Sequence, residues 1–315
     1  MSVDADAVEL ALTRLADLGD AVQRNVALGL MTTYRVGGAA ALFVHVTDRG
    51  QLTAVAEAAR ASGLPVLVVG RGSNLLVADA GFPGIAIGLA DLDATLDIDA
   101  ATAQVTASAG VALPVLARRT AAAGLGGFEW AVGVPGSIGG AVRMNAGGHG
   151  SDMAASLVQV TVFDLATGVE RTLHVAELGL AFRSSALAPG HVVLDAVLQL
   201  RHGDADASVR LIGEIVAWRR ANQPGGQNAG SVFVNPVPGE VSAGALIDAA
   251  GLRGRRLGTA TVSDKHANFI QADDGGSADD VLALMAEVRG LVEASSGHRL
   301  RSEIKLVGFD EGDVF

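Results

Sequence analysis

The chain has no cysteine, which removes disulfides, thiolate nucleophiles, cysteinyl zinc sites and cysteinyl cofactor links at once. It has no uncharged apolar run of the roughly 18 residues that a membrane-spanning helix needs. Its first residues carry Asp4, Asp6, Glu9, Asp17 and Asp20 where a secretory signal would show a basic start and a greasy stretch. Positive charge is in deficit too: the formal net charge is −11, which repels a phosphate backbone. These absences lead to the expectation of a cytoplasmic protein that acts on neither nucleic acid nor membrane.

What the sequence does have is apolar material and glycine-rich loops. Half of its 315 residues are apolar, and a chain of that length divides into two or three domains. Leu52, Val55, Ala56 and Ala59 recur at helical spacing until Gly63 and Pro65 close the segment, and a β-rich run, Val66 to Val69, follows. Leu96 and Ile98 alternate with Asp97 and Asp99, and Gln104 to Ala107 alternates again, which predicts short strands. Pro114 to Ala123 predicts a helix that stops at Gly124. Val158 to Leu200 is strand-like, with turn chemistry at Thr167-Gly168 and Pro189-Gly190. The polar stretch Arg201 to Ser208 is the best linker candidate. Beyond it, Leu211, Ile215 and Trp218 share a helical face, and Ser277 with Asp280 resembles a capping box for a helix reaching about Glu293. A last strand, Leu300 to Val307, sets Leu300, Ser302, Ile304 and Leu306 on one face and Glu303 and Lys305 on the other.

Two loops carry the functional signal: "GRGSN" (Gly70 to Asn74) and "GVPGSIGG" (Gly133 to Gly140). Glycines let a ligand approach peptide N–H groups with no Cβ in the way, so such loops form concavities that bind anions, and a pyrophosphate suits that geometry. Ser73 and Asn74 add short polar side chains. Neither loop stands in the context of a Rossmann fingerprint, and no Walker loop is present. Either loop alone also reads as an ordinary tight turn; two of them, followed by "RMNAGGHG", point to a nucleotide-containing cofactor. The cluster Arg253, Arg255 and Arg256 suits a small phosphorylated ligand or, equally, a solvated loop. His149 is a lone histidine with no ligand partner at metal-like spacing, so no metal is expected.

The ordered motifs "TTYRVGGAA", "GRGSNLLV", "GVPGSIGGAVRMNAG", "AGSVFVNP" and "VSDKHANFI" span roughly Tyr34 to Gly308 and together resemble the UDP-N-acetylenolpyruvoylglucosamine reductase family, flavoenzymes that make UDP-N-acetylmuramate for bacterial cell walls. The resemblance implies an α+β fold: an FAD-binding region of the vanillyl-alcohol-oxidase type, built of two α+β subdomains, followed by a C-terminal α+β substrate-binding domain. Placed on this chain, that gives an N-terminal segment at 1–30, the FAD-binding domain at 31–205 and the substrate-binding domain at 209–310. Non-covalent FAD, NADPH as hydride donor and a small nucleotide-sugar substrate are implied with it, and a monomer is expected. Tyr34, Gly72, Ser73, Asn74, Gly133, Pro135, Gly136, Ser137, Gly140 and Asn145 would hold the cofactor.

The same resemblance distributes the chemistry. Arg183, in "LAFRSS", matches the arginine that holds the substrate carboxylate and stabilises developing negative charge, a task suited to a guanidinium that stays ionised and forks onto two oxygens. Ser231 matches the proton donor to the enolate-like intermediate, and Glu303 a third catalytic residue that assists charge handling or protonation. Asn235, Lys265 and Asn268 join Arg183 as implied substrate ligands. Read without the family, Arg183 is a surface or salt-bridged arginine, Ser231 a turn serine and Glu303 an ordinary strand glutamate.

Three positions depart from the family pattern. Phe182 stands where a tyrosine is usual, Val234 where "SVFKNP" would place a lysine, and Arg301 where an acidic residue is common. Loss of one buried charge-assisted contact costs about 1.5 to 3 kcal/mol, so phosphate contacts rerouted through Arg253 or Arg256 are expected. Two rivals remain: a flavin oxidase on the same cofactor fold, against whose tethered form the lack of cysteine and of a histidine in "GRGSN" argues, and, suggested by Phe182 and Val234, a catalytically idle FAD or nucleotide-sugar binding protein.

Overall fold

A computed structural model describes residues 4–92 and 95–310. In chain order the first unit comprises α1 (Ala5–Arg14), β1 (Val22–Ala27), β2 (Ala39–His45), α2 (Arg49–Ser62), β3 (Val66–Val69), β4 (Leu75–Val77) and β5 (Phe82–Gly88). Four of these strands form a sheet in the order β1-β2-β5-β3, antiparallel at its first pair and parallel at the other two. β2 reads AAALFVH and is buried almost throughout, as a strand covered on both faces must be. α2 ends at Gly63, which takes the left-handed conformation (φ 72°) that favours glycine at this position.

The N-terminal residues are not a separate segment. α1 packs on α2, burying Val8 and Ala11 in the same apolar cluster, and β1 supplies the antiparallel edge of the sheet. The sequence concealed this because β1, VQRNVA, is mostly exposed and its apolar residues are split by the polar Gln23, Arg24 and Asn25.

The second unit holds β6 (Leu96–Asp99), β7 (Gln104–Ser108), α3 (Leu113–Ala122), β8 (Leu125–Gly126), α4 (Ile138–Met144), β9 (Gly147–Gly148), β10 (Ser151–Asp152), β11 (Leu157–Asp164), β12 (Val169–His174), β13 (His191–Gln199), β14 (Arg201–His202) and α5 (Ala205–Asn222). Its antiparallel sheet runs β12-β11-β13-β7-β6. The polar stretch 201–208 is not a linker. Arg201 and His202 pair with β8, Asp204 caps α5 by accepting from Ala207 N, and Ser208 donates to the buried Glu129 at 2.6 Å. α5 buries Ile212 and Ile215 with α3 and the turn Glu129–Gly133, so it belongs to this core. Its inward face is Ser208, Ile212 and Ile215, whereas Leu211 and Trp218 stand out in solvent. Composition misled here because capping and side-chain pairing satisfy the polar groups without any apolar run.

The third unit contains β15 (Phe233–Val234), α6 (Ala243–Ala249), β16 (Arg256–Leu257), β17 (Ala260–Val262), β18 (Ile270–Ala272), α7 (Ala278–Ser296), β19 (Arg301–Ser302) and β20 (Lys305–Val307). Ser277 caps α7 by accepting from Asp280 N, and Asp79 of the first unit accepts from Ala278 N at 3.0 Å, so the helix start is also held from across the units. The expected single final strand divides in two: β19 pairs antiparallel with β15, then β20 pairs parallel with β4 of the first unit. Glu303 lies at the switch between the two sheets.

Candidate active site

The two glycine loops face one another. A Cβ on Gly70 would lie 2.9 Å from Ser137 Oγ, and one on Gly136 would lie 3.6 Å from Ser73 Oγ. They wall a cavity of about 160 Å³ to which Gly70, Arg71, Ser137, Gly139, Gly140 and Arg143 contribute. Backbone bonds fix the second loop: Leu113 N donates to Gly136 O, Ile138 N to Val111 O, and Gly139 N to Ala109 O at 2.9 Å. In the first loop Gly72 sits at φ 60°, and its carbonyl accepts from Thr33 N at 3.1 Å. Any side chain at Gly72 would run into the backbone of Met31 and Thr32.

The cradle has polar capacity to spare. Thr33 Oγ1 is buried with no hydrogen-bond partner among the described residues, and the Ser137 hydroxyl makes no capping bond although the residue is buried. An orphaned threonine hydroxyl next to the first loop and an uncommitted serine on the second fit the diphosphate of a dinucleotide, whose oxygens would accept from them. A methyl group at Gly70 narrows the gap to Ser137, so Gly70→Ala is expected to weaken FAD binding about tenfold, consistent with about 1.4 kcal/mol of lost contact; flavin fluorescence titration measures it. An unchanged dissociation constant would move the diphosphate elsewhere.

Other residues expected at the cofactor divide between cavity and scaffold. Gly133 is buried against α5, where a Cβ would meet Arg219 Cδ at 3.0 Å, and Pro135 is exposed. Tyr34 is fully buried in the third unit's apolar cluster, with its phenol close to the Ala229 backbone but in no hydrogen bond of good geometry, and burial pushes its pKa far up. Asn74 reaches the last strands: its Nδ2 donates to Glu303 O at 3.0 Å and its carbonyl accepts from Lys305 N at 3.0 Å. Asn145 is buried with its amide bound to protein on both sides.

Glu303 and Arg183 meet where the three units join. Arg183 Nε donates to Glu303 Oε1 at 2.7 Å and its Nη2 donates to Gly147 O at 2.9 Å, which leaves Nη1 and one Nη2 hydrogen for a ligand. The guanidinium also lies 5.0 Å from the centroid of the half-exposed Phe182 ring. Burial raises the Glu303 carboxyl above the ordinary glutamate range, and the charge and hydrogen bond of Arg183 only partly oppose that. Ser231 is tied to the same place through backbone, since Val232 O accepts from Glu303 N at 2.8 Å. Its hydroxyl has no hydrogen-bond partner among the described residues.

The remaining expected ligands are engaged by the fold. Asn268 is buried and clasps Phe233 from both sides, its Oδ1 accepting from Phe233 N at 3.0 Å and its Nδ2 donating to Phe233 O at 2.8 Å. It therefore fixes the strand that follows Ser231. Lys265 Nζ donates to Arg220 O at 2.6 Å near the end of α5, and Asn235 Oδ1 accepts from Ala243 N at 3.0 Å. His266 packs edge-on against Phe269, and burial with Arg253 nearby lowers its pKa.

The rerouting of phosphate contacts through the arginine cluster is not supported. Arg253 is paired with Asp248 at 2.6 Å, Arg255 with Glu287 and Arg256 with Asp273, so each guanidinium already faces a carboxylate. Val234 is buried, and its cross-strand partner is Arg301, which is exposed. Among the described residues no group of His, Asp and Glu side chains could hold a metal, and no helix is long and apolar enough to cross a membrane.

Sequence reasoning missed four contributors: Thr33, Arg71, Gly139 and Arg143. All four lie inside the family-like motifs, but none has a residue type that by itself marks a ligand contact. Arg143 donates to the carbonyls of Leu187, Ala188 and His191, a set of distant partners that no local pattern encodes.

Comparison with known proteins agrees with this architecture. The pattern described as FAD binding domain matches residues 40–174, and that described as UDP-N-acetylenolpyruvoylglucosamine reductase, C-terminal domain, matches residues 222–307, starting where α5 ends. UDP-N-acetylenolpyruvoylglucosamine reductase of Synechococcus sp. (strain WH7803) is 43% identical over 96% of this chain and 98% of the relative. That of Heliobacterium modesticaldum is 44% identical over 90% of each. The crystal structure of UDP-N-acetylenolpyruvylglucosamine reductase from Thermus caldophilus superposes with a TM-score of 0.76 at 36% identity, covering 91% of this chain and 98% of that one. With relatives this similar along nearly its whole length, the chain belongs to the UDP-N-acetylenolpyruvoylglucosamine reductase family.

Proposed function

We propose that this chain reduces UDP-N-acetylglucosamine enolpyruvate to UDP-N-acetylmuramate with NADPH, using FAD held between the Gly70 and Ser137 loops. The observation that carries the reading is the Arg183–Glu303 ion pair, made between the second and third units and tied by backbone to the strand that follows Ser231. Bound FAD would relay two electrons from NADPH to the enolpyruvyl double bond.

The chain's own residues do the rest. The free N–H groups of Arg183 clamp the substrate carboxylate and stabilise the negative charge that spreads onto it. Glu303 holds the guanidinium by Nε and Gly147 O holds it by Nη2, so the fork is aimed before substrate arrives. Ser231 delivers a proton to the carbon beside the carboxylate. The third unit, from the end of α5 onward, carries Ser231 and Glu303 and meets Arg183 of the second unit, which supports its assignment to the substrate. A cytoplasmic site of action follows from the need for NADPH and a UDP-sugar.

The direct test is spectroscopic. Purified protein should be yellow, bleach anaerobically with NADPH, and recover its colour when UDP-N-acetylglucosamine enolpyruvate is added. A flavin that NADPH leaves oxidised would favour the oxidase, and one that bleaches but never recovers would favour the idle binder. Family membership already weighs against both.

The Glu303 carboxyl provides a pH signature. Because burial raises its pKa, protonation begins above the usual glutamate value of about 4.3, and the clamp on Arg183 weakens as pH falls through the raised value. The acid limb of kcat/KM is expected there and should disappear in Glu303→Gln, which keeps an acceptor but no titration. A limb that persists unchanged in Glu303→Gln belongs to another group.

A further inference from the structure

Arg183 has the left-handed backbone conformation, φ 55°, in a turn closed by reciprocal hydrogen bonds between Ala181 and Ser184, both 3.1 Å. Where the guanidinium is presented therefore depends on what holds that turn. Asn145 holds it. This residue is 2% exposed, itself left-handed at φ 40°, and its Nδ2 donates both to Ala181 O and to Asp152 Oδ2, each at 3.1 Å. Its Oδ1 accepts from Ala154 N at 3.0 Å.

Asp152 lies in the β9–β10 hairpin, and Asp152 pairs with Gly147, whose carbonyl accepts from Arg183 Nη2. One amide thus ties the backbone behind Arg183 to the hairpin in front of its guanidinium. Both amide hydrogens are spent on this, which leaves none to donate to a flavin nucleotide.

The hairpin has an outer support. Its tip, His149 at φ 51° and Gly150 at φ 84°, makes the two-residue turn with successive positive φ angles that joins antiparallel strands tightly. The His149 ring meets Trp218 of α5 edge to face, 5.1 Å between centroids at 87°. Trp218 is otherwise a half-exposed indole on a helix whose buried side points elsewhere.

We propose that Asn145 is a positioning residue for Arg183, acting through the Gly147–Asp152 hairpin, which His149 props against Trp218. The proposal rests on the reading of Arg183 as the substrate-carboxylate ligand. It replaces the expected contact of Asn145 with FAD.

The test separates the two half-reactions in the FAD-loaded enzyme. In Asn145→Ala, flavin content and anaerobic bleaching by NADPH should stay at the parental level. Reoxidation by UDP-N-acetylglucosamine enolpyruvate should slow at least about tenfold, as expected when a clamp is displaced by a fraction of an ångström. Trp218→Ala should slow the same step about threefold or more and raise the calorimetric dissociation constant of the enolpyruvyl substrate, while Trp218→Phe, which keeps an edge-to-face partner, restores both.

Loss of flavin or slowed bleaching in Asn145→Ala would make it the cofactor ligand and overturn the proposal. So would a fall in both half-reactions together, the mark of a merely structural role. If Asn145→Ala does not fold, Trp218→Ala decides alone, because a half-exposed ring can be removed without opening the core, and parental reoxidation there overturns the proposal. Arg183→Ala distinguishes the two levels: parental turnover in that variant sinks the role of Arg183, whereas an inactive Arg183→Ala beside a parental Trp218→Ala sinks only its positioning.

Discussion

Arg183→Ala is expected to retain its yellow flavin and its bleaching by NADPH while losing turnover of the enolpyruvyl substrate by at least about a hundredfold, since a contact made to developing charge contributes on the order of 3 kcal/mol. The backbone does not complicate the experiment. Alanine suffers in the left-handed region much as arginine does, so the turn through Ala181 and Ser184 gains no new strain. Electrostatics adds a second readout: without the guanidinium, burial acts on the Glu303 carboxyl unopposed by its hydrogen-bonded cation and drives its pKa further up. Arg183→Lys sharpens the interpretation, because it keeps a cation but loses the planar fork that engages Glu303, Gly147 O and a carboxylate together. Turnover unchanged in Arg183→Ala would remove the residue from the mechanism.

Ser231→Ala carries the second large effect. A positioned proton donor contributes about 10² to 10⁴ in rate, so reoxidation of the reduced flavin by substrate should fall by that order while its reduction by NADPH is untouched. The hydroxyl has no protein partner among the described residues, so its removal orphans nothing and the melting temperature should hold. A stable variant that still turns over at the parental rate would transfer the proton to another donor, and Glu303, whose raised pKa keeps it partly protonated at higher pH than an ordinary glutamate, would be the next to test.

Much of the architecture was legible because local grammar and global fold agree. Val66 to Val69 is a strand to the residue, α2 stops at Gly63, and α3 ends just before Gly124, each where an apolar period meets a residue suited to a turn. The glycine loops were legible for a related reason: a wall without side chains is written directly in the residue types. Local grammar failed where polar groups are satisfied at a distance. The stretch 201–208 reads as a linker until β8, Glu129 and the cap of α5 absorb its polar atoms. Leu211, Ile215 and Trp218 read as one apolar helical face until α5 turns Ile212 and Ile215 inward and leaves the indole outside, against His149.

By itself the sequence determined the chemistry on offer: no thiol, two backbone-lined loops, and an arginine, a serine and a glutamate in motifs shared with one enzyme family. Only the tertiary structure decided how these are used. It joined Arg183 to Glu303 across 120 positions of chain, placed Glu303 where one strand pair gives way to another, committed Arg253, Arg255 and Arg256 to carboxylates, and turned Asn145 towards the hairpin. Residue types are local, whereas a hydrogen bond between distant segments exists only after the cores beneath them have packed and set the distance between donor and acceptor.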